Sequence, residues 1–128
     1  MNPAEAKEVL LFHSFAHEDI DHPKMGGGFL GSLRPFDGRL KEENFHEVME
    51  ALRILAPALE QPSVDREIVS SIWHICHLGR MWGVHPGGML RRNGLISAEE
   101  SARLERWIDC ISYATMMLLG GSWLGDRL

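Results

Sequence analysis

Histidine and carboxylate side chains crowd a short stretch near the start of the chain. His13 and His17 are four residues apart, so on a helix their imidazoles lie one turn apart on one face. Asp21 and His22 follow at once, and together the four side chains could bind Zn²⁺ or Fe²⁺. The spacing is common, however, and it lacks the central glutamate of H-E-x-x-H. We therefore expect no cofactor and a His13 hydrogen-bonded to the backbone, with a metal-binding protein or metal-dependent enzyme centred on these residues as the alternative.

Glycine and arginine offer a second kind of site. The segment Gly26-Gly27-Gly28-x-x-Gly31 precedes Arg34, and Gly87-Gly88 precedes Arg91 and Arg92. Exposed backbone N–H groups with these guanidinium groups could bind an anion or a nucleotide. Neither segment follows a strand pattern, as a Rossmann or Walker-type loop does. The simpler interpretation is that the glycines let the chain approach the core closely.

No stretch has the pattern of a catalytic site. Glu43-x-x-His46 copies the spacing of di-iron carboxylate bundles, but no second E-x-x-H occurs on another predicted helix. No serine or cysteine stands beside a histidine in a recognisable nucleophile setting. We therefore expect a protein without enzymatic activity.

Charge is distributed unevenly along the chain. The net charge is −5, and all of it lies in residues 1–64, where 11 acidic side chains oppose 6 basic ones. This balance argues against nucleic-acid binding. It favours a protein-binding module, such as an adaptor, a regulator or an immunity-type neutralising protein, whose partner is another, basic protein. The predicted partner-binding residues are the acids opposite the apolar stripe of the second predicted helix, together with an aromatic residue near the C-terminus: Glu42, Glu43, Glu47, Glu50 and Trp123.

Apolar residues recur with a period of 3.6 throughout, which predicts an all-α fold. We expect one domain over 1–128, a compact bundle of about four main helices at 3–18, from about 41 to Pro57 or beyond, 65–82, and from Ser97 to Gly120. Ser97 and Glu100 form an S-x-x-E capping box at the start of the last helix. The loop 19–40 is unusually long, and its apolar residues predict that it is ordered and packs on the bundle: Met25, Phe29, Leu30, Leu33 and Phe36.

Composition also bears on the location of the protein. No apolar run of about 18 residues is present, and the start of the chain lacks the pattern of a signal peptide. We expect a cytoplasmic protein with no membrane contact, and a homo-oligomer is compatible with the sequence. Cys76 and Cys110 both fall in apolar helical stretches, so both are predicted to be reduced and buried.

Overall fold

The computed structural model describes residues 1–121, and the regular secondary structure of this part of the chain is helical, without strands. It confirms the predicted all-α fold, since four of its six α-helices are long and pack on one another in a compact bundle. A 3₁₀ turn at Gly31–Leu33 interrupts the long loop. The helices are α1 Pro3–His13, α2 Pro23–Gly27, α3 Glu42–Leu59, α4 Arg66–Gly83, α5 Met89–Arg92 and α6 Ala98–Leu119.

Helix α1 begins at a capping box that the sequence analysis missed and ends five residues earlier than predicted. The side chain of Asn2 accepts a hydrogen bond from the Glu5 backbone N–H, and the Glu5 carboxylate accepts one from the Asn2 N–H. At the other end, Phe15 adopts a left-handed conformation with φ of 60°. This residue turns the chain out of the helix before His17.

Three long helices carry most of the core. On α3, α4 and α6 the inward stripes are buried, including Leu52, Ile72 and Ile108. Pro57 lies within the last turn of α3, so the helix continues past it to Leu59. Helix α1 packs mainly on α3, and α6 packs mainly on α4.

The long loop packs on this bundle as predicted. Met25, Phe29, Leu30 and Leu33 are each at most 5% exposed, and Phe36 is partly buried against the core. Two short helical turns, α2 and Gly31–Leu33, give the loop its own local structure.

Other expectations need correction. Cys110 is exposed, whereas Cys76 is buried as predicted. The capping box of α6 is half formed: Ser97 accepts from the Glu100 N–H, but the Glu100 carboxylate accepts from the Leu40 N–H instead of returning to Ser97. Over residues 1–121, no helix has both the length and the apolar character that crossing a membrane requires.

Candidate functional site

His13 is the fully buried last residue of α1, and both of its ring nitrogens have partners. The backbone N–H of Phe29 donates to Nδ1 at 2.9 Å, and Nε2 lies 2.7 Å from a carboxylate oxygen of Glu47. Since Nδ1 accepts a hydrogen bond, the neutral ring carries its proton on Nε2 and donates it to Glu47. The backbone bond of His13 that the sequence predicts is therefore present, and it ties the long loop to α1.

Glu47 connects three elements. Besides accepting from His13 on α1, this α3 residue pairs with the Lys24 ammonium on α2. One turn earlier, Asn44 donates to the Gly27 carbonyl at 2.9 Å. The sequence placed Glu47 on the solvent face of its helix; that placement is wrong, because the loop folds over this side of α3 and leaves the carboxylate only 29% exposed.

These contacts perturb both ionisable groups. Burial lowers the pKa of His13, and the hydrogen bond from Nε2 to Glu47 only partly opposes this effect. For Glu47, burial favours the protonated acid, but the hydrogen bonds from Lys24 and His13 outweigh burial and lower its pKa. We call the three side chains His13, Glu47 and Lys24 the clasp.

Two glycines of the loop are required by close packing. A Cβ at Gly31 would lie 1.9 Å from the Met25 carbonyl oxygen. A Cβ at Gly28 would lie 2.5 Å from the Lys24 carbonyl oxygen and 3.2 Å from Nδ1 of His13. At these two positions the glycines allow close packing of the loop on its own backbone.

The other predicted metal ligands lie around Phe12, the residue before His13. His17 stacks on the phenyl ring with 3.8 Å between ring centroids, and His22 stacks on it at 4.2 Å. The phenyl ring separates the two imidazoles, and Asp21 is exposed. Residues 1–121 contain no group of three or more histidine, cysteine or acidic side chains placed to bind a metal ion. The structure thus does not bring His13, His17, Asp21 and His22 together as one ligand set.

Residues 14–22, which we call the acidic loop, carry two large apolar side chains in an unusual setting. Phe15 is 56% exposed and Ile20 is 76% exposed, and the acids Glu18, Asp19 and Asp21 beside them are exposed as well. Across residues 1–121, none of these three carboxylates forms an ion pair.

Phe15 occupies the left-handed position of a Schellman motif, where glycine is usual. The Phe15 N–H donates to the Phe12 carbonyl and the Ala16 N–H donates to the Leu11 carbonyl, which are the two hydrogen bonds of that motif. A bulky residue there costs roughly 1–2 kcal/mol. The sequence analysis missed this position, because a phenylalanine gives no local signal for a left-handed conformation.

The remaining predicted partner-binding acids lie on α3 next to basic side chains. Glu42 lies 3.6 Å from His46, Glu43 lies 4.0 Å from Arg39, and Glu50 pairs with Arg53. All are substantially exposed, and such pairs contribute little to stability. Trp123 lies outside the described residues.

The predicted anion-binding arginines are all exposed but have other contacts. Arg34 stacks over the Trp82 ring at 5.5 Å, and Arg91 donates to the Val84 carbonyl at 3.3 Å. Arg92 lies in the last turn of α5.

Helices α4 and α6 run antiparallel and leave a second exposed feature, which we call the apolar groove. Its volume is about 280 Å³, and it is lined mainly by Val69, Ile72, Trp73, Thr115, Met116 and Leu119. The sequence placed Trp73 at the margin of the buried arc of α4, and the structure leaves it 71% exposed.

Comparison with known proteins gives no relative from which a function could be transferred. The chain matches no protein-family model, no curated protein sequence and no solved structure with which it was compared.

Proposed function

We propose that this protein is a non-enzymatic protein-binding module whose acidic loop binds a basic, amphipathic segment of another protein. The observation that carries the proposal is Phe15, an exposed aromatic side chain held in a left-handed conformation that a glycine would adopt without strain. Strain of this kind persists where the surrounding structure imposes it, and it is typical of binding and catalytic sites.

The surroundings of Phe15 fit a binding role. The clasp holds the chain on both sides of the acidic loop, and the stack of Phe12 with His17 and His22 holds two residues of the loop itself. A loop held in this way before a partner arrives loses less entropy on binding. Aromatic side chains, phenylalanine among them, are enriched at protein–protein interfaces.

The charges around Phe15 indicate the chemistry of the partner. Glu18, Asp19 and Asp21 are exposed, and none of them forms an ion pair within residues 1–121. Three free carboxylates beside Phe15 and Ile20 fit a segment that combines lysine or arginine with an apolar residue. Opposite charges of this kind also accelerate association.

The experiment is selection of a displayed random-peptide library on the full chain, followed by calorimetry with the enriched peptides. We expect enrichment of peptides that combine basic and apolar residues. Phe15→Gly should weaken their binding by about tenfold or more, as loss of a hot-spot side chain does. The same variant should unfold at the same or a higher temperature, because it relieves the left-handed strain.

A matched control distinguishes the acidic loop from the acids on α3. The double variant Glu42→Gln, Glu43→Gln removes two exposed charges and should leave peptide affinity unchanged. Enrichment of peptides without basic residues, or full affinity in Phe15→Gly, would overturn the proposal.

A further inference from the structure

Large apolar side chains are exposed along the apolar groove and directly beside it, where Tyr113 lies outside the lining residues. Trp73 on α4 is 71% exposed, and on α6 Met116 is 59%, Tyr113 is 56% and Leu119 is 46% exposed. Tyr113 precedes Met116 by three residues and so lies beside it on the surface of α6. Four large apolar side chains on one pair of helices form a patch of the kind that marks an interaction site.

The groove carries little charge. Of the residues lining it, only His77 and Arg80 are basic, and the Arg80 guanidinium donates to Asp109 at 2.6 Å. The half of the chain that contains α4 and α6, residues 65–128, has 7 basic and 7 acidic residues and therefore no net charge. The groove therefore has no net charge that would attract a strongly charged partner.

A second copy of the chain is the occupant that this distribution of charge fits. Each copy has a net charge of −5, all of it in residues 1–64. Two copies therefore repel least where α4 and α6 face each other. Independently of the proposed function, we infer that the apolar groove is the interface of a symmetric homodimer, in which α4 and α6 of one copy pack against α4 and α6 of the other.

The size of the patch agrees with this arrangement. Trp73 and Tyr113 are aromatic, Met116 and Leu119 are smaller, and all four are between 46% and 71% exposed. Since a whole aromatic side chain buries about 150–250 Å², the four together present on the order of 500 Å² per copy. Two copies would then bury about 1,000 Å², the area at which specific interfaces begin. In a symmetric pair each copy supplies the same surface, so Trp73 of each copy contacts the groove of the other.

Sedimentation equilibrium of the full chain tests this inference. We expect the mass to rise with concentration from 14.5 kDa towards twice that value. Trp73→Glu and, separately, Met116→Lys should each hold the chain at the monomer mass, because a charge is introduced twice at a symmetric contact. Both side chains are mostly exposed, so circular dichroism should show an unchanged helical fold.

The matched control is Met81→Glu, a similar change on α4 at a 42% exposed residue that does not line the groove. This variant should still form dimers. A wild-type chain that stays monomeric at every concentration would overturn the inference, as would a dimer that survives both groove substitutions. A monomer that dimerises only after Trp123→Ala would overturn it too, and would assign the groove to residues 122–128 of the same chain.

Discussion

The acidic loop and the apolar groove both expose large apolar side chains, but they are built in opposite ways. The acidic loop and the segment after it depart from regular structure: the acidic loop has a left-handed phenylalanine at Phe15, and the segment after it is held by a buried His13 and packed closely at Gly28 and Gly31. The groove is the outer surface of two regular helices whose inner surfaces form the core. The acidic loop depends on tertiary contacts, so a single substitution in a residue that holds it should change its structure. The apolar groove lies on regular helices, so it should be altered mainly by substitutions of its own exposed residues.

The largest expected effect of a single substitution is at His13, which supports the loop. His13→Ala removes a fully buried ring and leaves the Phe29 N–H and the Glu47 carboxylate without their partner. The cavity and the unpaired groups together should lower the free energy of unfolding by about 3–5 kcal/mol. Chemical denaturation measures the loss.

Hydrogen exchange on the same variant shows whether the effect is local. We expect amide protection to fall first in residues 14–33 and to remain in α4 and α6. Equal loss of protection in both regions would contradict the division of the molecule into the two kinds of surface.

Gly31→Ala should have the next largest effect. The new Cβ would lie 1.9 Å from a backbone oxygen, which cannot move as a side chain can. Overpacking of this kind costs about 1–3 kcal/mol. Gly26→Ala is the matched control, because a Cβ there meets nothing within 4 Å. If denaturation shows the same midpoint for both variants, the close packing of the loop is not a constraint.

Sequence patterns predicted the regular part of the molecule well. Helical periodicity located α3, α4 and α6, and the five apolar residues of 19–40 correctly indicated a packed loop. Both signals are local, because the apolar residues within one helix or one loop are enough to predict which of its side chains are buried. The same periodicity overestimated burial at Cys110, since α6 has more apolar residues than its inner face requires.

Such local patterns could not predict the clasp, because its residues are far apart in the sequence. His13 and Glu47 are 34 positions apart, and Lys24 and Glu47 are 23 apart. A helical wheel of α3 places Glu47 on the same face as Glu43 and Glu50. The wheel contains no information about the long loop, which covers Glu47. The left-handed Phe15 was missed for a related reason, since its conformation is imposed by its surroundings.

Acid should weaken the clasp. Burial lowers the pKa of His13 below its ordinary value of 6.5, so the unfolded chain takes up a proton before the folded protein does. The stabilisation is complete above about pH 6.5 and is lost as the pH falls from there towards the lower pKa of the folded state. Glu47, whose pKa is lowered from 4.5, adds a further loss in more acidic solution.

Denaturation across this pH range measures the effect. His46→Ala, at an exposed histidine of α3, should keep the same pH dependence, whereas His13→Ala should reduce it. Unchanged stability of the wild type from neutral pH down to about pH 5 would contradict a buried, neutral His13.

The smallest expected changes in the free energy of unfolding are those at Glu43 and Glu47, which the sequence places on the same face of α3. Glu43 and Glu47 are one turn apart on α3, but Glu43 is 64% exposed and makes only a 4.0 Å contact with Arg39. Glu47→Gln should lower the free energy of unfolding by about 1–2 kcal/mol, because it weakens two charge-assisted hydrogen bonds at a half-buried position. Glu43→Gln should change it by less than about 0.5 kcal/mol, as surface substitutions usually do. Denaturation at neutral pH compares the two variants directly. An equal decrease in the free energy of unfolding would show that Glu47 contributes no more to stability than an exposed glutamate does.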